Sequence, residues 1–104
     1  MYRHHYRCEV RYGELRHFVD LSRRISALEA ERGWAVSTIW TPVVGTANEV
    51  IVIAEYESLA AFEQERGARR EDTEYLKLSR DAEELMAPGT FRDELLEEPA
   101  RPAN

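Results

Sequence analysis

The stretch that decides the fold is WAVSTIWTPVVGTANEVIVIAEYES, which runs from Trp34 to Ser58. It consists of two β-type runs joined by a short loop, and the second run, Glu49 to Glu57, is apolar at both alternating sets of positions. A strand of this kind must be covered on both of its faces. Because helices cover only one face of a small sheet here, we expect a second copy of the chain to cover the other.

The segment before this stretch, residues 2–12, alternates with a period of two. This pattern predicts a first strand with one apolar and one polar face. The apolar set is Tyr2, Tyr6, Cys8, Val10 and Tyr12, and the polar set is Arg3, His5, Arg7, Glu9 and Arg11.

Helical spacing of apolar residues predicts a first helix from about Glu14 to Arg32, which Gly33 ends. The β-type run from Trp34 to Thr41 predicts a second strand. It ends at Pro42, whose missing N–H is tolerated best at a sheet edge. The third strand then follows after the loop and forms an antiparallel hairpin with the second.

Ser58 is a good N-cap for a second helical region, which a polar interruption at 67–72 predicts to be bent or in two pieces. Charges of alternating sign from Glu63 to Glu74 predict a solvated helix face. Pro88 and Gly89 end this region, and Phe91 to Leu96 predicts a fourth strand or an arm on the partner subunit.

The order β-α-β-β-α-β predicts an α+β, ferredoxin-like fold with an antiparallel sheet and its helices on one face. The length of 104 residues fits one domain, which we place at 1–96, followed by a flexible C-terminal tail at 97–104. Together with the expected second copy, this architecture predicts a homodimer.

The composition limits the kinds of binding partner and the cellular location that we expect. A net charge of -6 and a pI near 5.1 oppose binding to nucleic acid or to an anionic membrane. With Cys8 as the single cysteine, an intrachain disulfide is impossible, and no signal peptide or membrane-spanning run is recognisable. We therefore expect a cytoplasmic protein.

Histidine spacing gives no metal site. His4 and His5 are neighbours on a strand and point to opposite faces, while His17 lacks a histidine partner at helical spacing. No phosphate-binding loop, flavin motif or catalytic triad is recognisable either. We expect no metal and no cofactor, and the sequence names no catalytic residue.

Several segments between Val10 and about Leu78 have the pattern of a known family. They are VRYGEL at 10–15, WT at 40–41 followed by Gly45, NEV at 48–50, EYESL at 55–59 and EDTEY at 71–75. In these segments the chain resembles the NIPSNAP-like branch of the dimeric α/β-barrel superfamily. The chain departs from the family pattern at Tyr12, where a proline usually stands, and at Ala54, where a tryptophan is common. The resemblance implies a homodimer whose two sheets enclose a barrel-like interior, and for most such proteins it implies no established chemistry.

The candidate ligand-binding residues lie on the face expected to look into that interior. Charges there must be paired or must meet a ligand, and a carboxylate in an apolar strand needs a cation. The set is His5, Arg7, Trp40 and Glu55. Two plainer interpretations stay open. In one, the charged residues form an Arg-Glu ladder that stabilises the interface or remains solvated. In the other, the aromatic residues contribute only to packing.

The sequence is consistent with two functions. The first is a dimeric module that binds a small, partly apolar molecule in its interior. The second is a cofactor-independent monooxygenase or cyclase, in which His5, Arg7 or Glu55 acts on an aromatic or polyketide-like substrate. An enzyme should have a pocket of about several hundred Å³ with a shifted titratable group, whereas a packing dimer should be filled by side chains.

Overall fold

The computed structural model describes residues 1–100 of the chain. Its elements, in chain order, are β1 (Tyr2–Glu9), α1 (Leu15–Arg32), β2 (Thr38–Trp40), β3 (Glu49–Tyr56), α2 (Leu59–Glu71), α3 (Thr73–Glu83) and β4 (Arg92–Glu97). Since α2 and α3 together occupy the second helical place, the predicted α+β, ferredoxin-like order is confirmed. None of these helices is long and apolar enough to span a bilayer.

The four strands form one antiparallel sheet in the order β2-β3-β1-β4. β1 is therefore central, and β2 lies at an edge, where the following Pro42 removes no ladder hydrogen bond. The register pairs Tyr6 of β1 with Val52 of β3 on one side and with Asp93 of β4 on the other.

The core lies between the sheet and the helices. Its buried residues are Cys8, Val10, Phe18, Leu21, Leu28, Val50, Leu78 and Ala82. Cys8 and Val10 belong to the apolar set predicted for the first strand, so the assignment of its two faces is confirmed. The end of that strand was predicted wrongly, because after Glu9 only an isolated bridge from Val10 to Met86 continues the pairing. The chain then turns at Gly13, whose φ is 84°, and leaves Tyr12 exposed to solvent.

The second strand is shorter than predicted and lacks residues 34–37. The backbone N–H groups of this segment donate outside the sheet ladder: Trp34 donates to the carbonyl of Glu29 at 2.9 Å, and Ser37 donates to the Glu29 carboxylate at 2.9 Å. The backbone carbonyl and the buried side chain of Glu29 on α1 thus replace a neighbouring strand as acceptors.

The predicted division of the second helical region is confirmed, but the break is a single residue. Asp72 has extended backbone angles and ends α2, while its carboxylate caps α3 by accepting from the N–H of Tyr75 at 2.9 Å. Ser58 caps α2 as predicted, since its hydroxyl accepts from the N–H of Ala61 at 3.1 Å. The remaining polar residues of the interruption are helical.

The fourth strand is confirmed one residue later than predicted, so Glu97 pairs with Tyr2 in the sheet. The last part of the predicted tail, 101–104, lies outside the described residues. Across residues 1–100 no element covers the sheet face that points away from the helices, which we call the open face. It includes Arg3, His5, Arg7, Trp40, Ile51, Ile53 and Glu55.

Candidate functional site

The residues predicted to bind a ligand all lie on the open face. Directly paired residues of an antiparallel sheet share a face, and Arg7 and Trp40 both pair with Ile51, one from each side. The structure therefore brings Arg7 and Trp40 into one row. His5 pairs with Ile53 in the next row, and Glu55 pairs with Arg3 beyond it.

Two of these residues are ion-paired on the open face. Arg3 donates to Glu55 at 2.8 Å, and Arg7 lies 3.5 Å from Glu49, so the contacts follow the predicted Arg-Glu ladder. The Nε2 of His5 is buried without a hydrogen-bond partner among residues 1–100. Trp40 is 57% exposed.

A cavity of about 530 Å³ lies on the other side of the sheet, between the strands and the helices. Its floor comes from alternate residues of β1 and β3, and α1, α2 and α3 supply its walls. It exists because α2 stands off the sheet: no residue of α2 is buried, whereas α1 and α3 insert side chains into the core. The apolar and aromatic lining includes Tyr6, Ile25, Val52, Ala54, Phe62 and Tyr75. None of His5, Arg7, Trp40 and Glu55 lines it.

A histidine-carboxylate pair lies at this cavity. His4 and Asp93 both line it, and the Nε2 of His4 is hydrogen-bonded to the Asp93 carboxylate. The His4 ring packs edge-on against Phe62 with 5.5 Å between the ring centroids. If Nε2 carries the proton that Asp93 accepts, Nδ1 keeps its lone pair and can accept a proton.

Sequence reasoning missed His4 as a site residue, although a signal was present. The residues at alternate positions from Tyr2 to Tyr12 are apolar or aromatic except for His4. A polar residue in the set that faces the helices must find a partner or a function, and here its partner comes from β4.

A buried ion pair joins two helices beside the cavity. Glu29 of α1 is 1% exposed and is bound by the guanidinium of Arg69 of α2. The hydroxyl of Ser37 also donates to Glu29 at 3.0 Å, and Arg69 donates to the carbonyl of Ala35 at 3.1 Å. Burial opposes the charge of Arg69, but the hydrogen bond and negative charge of Glu29 outweigh it, and the pKa of Arg69 is raised.

Aromatic side chains surround this guanidinium. Its carbon lies 5.1 Å from the ring centroid of Trp34 and 5.2 Å from that of Tyr75, which are cation-π distances. Arg69 also donates to the hydroxyl of Tyr56 at 3.5 Å. Burial raises the pKa of Tyr56 despite the nearby positive charge, so the cavity holds a neutral phenol there at physiological pH.

The described part of the chain contains no cluster of three or more His, Cys, Asp or Glu side chains that could hold a metal ion.

The NIPSNAP family model matches residues 6–94. The chain belongs to the NIPSNAP family. The resemblance carried by the sequence motifs is confirmed, and it extends beyond Leu78 through the first half of β4. No curated protein matches the NIPSNAP chain described here.

Solved structures share the fold of this NIPSNAP protein. An uncharacterized NIPSNAP domain protein from Burkholderia xenovorans is 15% identical over 100% of both chains, with a TM-score of 0.78. A NIPSNAP family protein from Agrobacterium tumefaciens is 18% identical, with 92% of this chain and 90% of that chain covered and a TM-score of 0.74.

SnoaB, a cofactor-independent oxygenase from Streptomyces nogalater, is also similar. It is 18% identical, the match covers 96% of this chain and 94% of that chain, and the TM-score is 0.73. At such identities the similarity shows the fold that the two proteins have in common.

Proposed function

We propose that this NIPSNAP protein binds a small, partly apolar molecule in the cavity between its helices and its sheet. The observation that carries the proposal is the cavity itself, whose volume of about 530 Å³ is in the range of small-molecule sites. Protein interiors normally contain few voids larger than a water molecule. An apolar and aromatic surface combined with polar groups, among them His4, Tyr56 and Arg69, has the composition of a ligand site.

We also propose that the protein is a cytoplasmic homodimer that pairs through the open face. Ile51 and Ile53 lie in the middle of that face, and the exposed Trp40 lies beside them. A partner would remove this apolar surface from water. His5, Arg7, Trp40 and Glu55 would then line the space between the two sheets, and the unpartnered Nε2 of His5 supports a polar contact there.

A fluorescent naphthalene probe tests the cavity. We expect 1-anilinonaphthalene-8-sulfonate to bind the wild type and to bind the Ser79→Phe variant at least about tenfold more weakly, because Ser79 lines the cavity and a larger side chain fills it. Ala68→Phe is the control, since Ala68 is exposed on α2 outside the cavity. Equal affinity for all three proteins would contradict binding in the cavity.

The alternative function is a cofactor-independent oxygenase or cyclase that acts on an aromatic or polyketide-like substrate. The pair of His4 and Asp93 favours it, because a carboxylate that holds a histidine also stabilises the imidazolium formed when the histidine accepts a proton. The fold shared with SnoaB, a cofactor-independent oxygenase, is consistent with this chemistry. The substrate would lose a proton to His4 and keep the electron pair as an enolate or phenolate.

Proton exchange in D₂O tests this alternative without knowledge of the substrate. The probe is 1-benzoylacetone, which has an acidic C–H between two carbonyls. We expect the wild type to accelerate hydrogen-deuterium exchange at that carbon and His4→Gln to lose the acceleration. The same exchange rate with both proteins would rule out His4 as the proton acceptor.

A further inference from the structure

Three arginines of α2 line the proposed ligand cavity. They are Arg66, Arg69 and Arg70. Their spacing of three and four residues places them on one side of the helix. The helix predicted to present only a solvated face of mixed charge therefore presents its cations to the cavity.

These arginines differ in their pairing. Arg69 is neutralised by the buried Glu29 and lies 3.8 Å from Glu65. Arg66 and Arg70 are exposed at the mouth of the cavity, and within residues 1–100 neither forms an ion pair with a carboxylate.

Other arginines of residues 1–100, such as Arg23 and Arg24 of α1, also lack an ion pair. What distinguishes Arg66 and Arg70 is that they line a cavity. Two carboxylates also line the cavity. Asp93 is hydrogen-bonded to His4, and Glu83 is the last residue of α3. The cavity is thus polarised, with positive charge on α2 and negative charge on α3 and β4. Such a field favours an anion at the mouth.

We infer that the molecule bound in the cavity is an apolar carboxylate, whose anionic group is held by Arg66 and Arg70 at the mouth. Its apolar body lies on the floor formed by Val52 and Ala54, against the ring of Phe62. Guanidinium groups match the geometry of a carboxylate and form charge-assisted hydrogen bonds with it. This inference rests on the proposed binding function and adds the chemical class of the ligand.

Two probes of nearly equal shape separate the charge from the apolar body. They are 1-naphthaleneacetate and 1-naphthaleneacetamide, titrated into the full chain by isothermal calorimetry. We expect the wild type to bind the carboxylate about tenfold more tightly than the amide, as charge-assisted hydrogen bonds allow. In the double variant Arg66→Gln/Arg70→Gln the preference should disappear, while the amide keeps its wild-type affinity.

The matched control is the double variant Arg23→Gln/Arg24→Gln, which changes the net charge by the same amount at exposed positions of α1 outside the cavity. It should keep the preference for the carboxylate. Equal binding of both probes to the wild type, or a preference that survives in the Arg66/Arg70 variant, would overturn the anion assignment and leave cavity binding intact. A preference lost in the control would also overturn it, and binding of neither probe would contradict the cavity function itself.

Discussion

Arg69 binds the carboxylate of Glu29 across the contact between α2 and α1, forty residues apart in the chain. The pair also anchors the segment before β2, because Glu29 accepts hydrogen bonds from the N–H and the hydroxyl of Ser37. It holds the helix that lines the cavity mouth to the helix that packs on the core. This pair is thus a polar link between α1 and the cavity wall on α2.

Removal of one member of this pair should destabilise the protein. Glu29→Leu leaves the guanidinium of Arg69 desolvated without its counter-charge, and we expect a loss of about 3–5 kcal/mol in the free energy of unfolding. The double variant Glu29→Leu/Arg69→Met should lose much less, because it buries no unpaired charge. Urea denaturation at fixed protein concentration measures both, and a double variant as unstable as the single one would contradict the account.

The stability of the protein at low pH should depend on Asp72, the residue that separates α2 from α3. The hydrogen bond from Arg32, together with the N–H of Tyr75, lowers the pKa of Asp72. A lowered folded-state pKa contributes stability that is present above the unfolded value of about 3.9 and is lost as the pH falls through the folded value. We expect Asp72→Asn, which keeps an N-cap oxygen but no charge, to reduce this part of the pH dependence. Asp72→Ala should be less stable than Asp72→Asn at neutral pH.

Thermal unfolding between pH 7 and pH 2 measures this difference. The wild type should lose its advantage over Asp72→Asn in the acid range. A constant difference across that range would show that the charge of Asp72 is not involved.

The single thiol should be inert in the folded protein. Burial, together with the negative charge of Glu49, raises the pKa of Cys8 to about 11. At pH 8 the thiolate fraction is then about a hundredfold below that of an ordinary cysteine. Reaction with Ellman's reagent should be at least that much slower in the native protein than in urea. Rapid native labelling would contradict the burial of Cys8 at 1% exposure.

A charged residue at the centre of the proposed interface should dissociate the dimer. Light scattering should give twice the 12.1 kDa of one chain for the wild type and a single chain for Ile53→Glu, because Ile53 lies in the middle of the open face. Ala68→Glu, at an exposed position of α2, is the control and should stay dimeric. A monomeric wild type at micromolar concentration would contradict the pairing.

The alternation of apolar residues allowed much of the fold to be predicted. It assigned the two faces of β1 correctly, and the capping residues Ser58 and Gly33 marked helix ends that the structure confirms. These features depend on neighbours in the chain, which is why a single sequence contains them. The first half of the predicted second strand was wrong, because its N–H groups donate to Glu29 of the preceding helix and to Glu65 of α2 instead of to a neighbouring strand.

The site was harder to predict for the same reason. Residues on the open face drew attention because their charges interrupt an apolar strand, and their role in a dimer stays a prediction. The cavity depends on how far α2 stands from the sheet, and no local pattern encodes that distance. Of the residues that line this cavity, only His4 could have been recognised from the sequence, because it is the polar member of an otherwise apolar set.

The most direct test of the account is to locate a bound ligand by NMR. Titration of ¹⁵N-labelled protein with 1-naphthaleneacetamide should shift the amide signals of the cavity floor and wall, at Val52, Ala54, Tyr75 and Ser79. Signals of Glu94 and Leu96, on the open-face side of β4, should stay in place. Shifts confined to the open face, or no saturable shifts at all, would contradict the claim that the cavity between helices and sheet is the binding site.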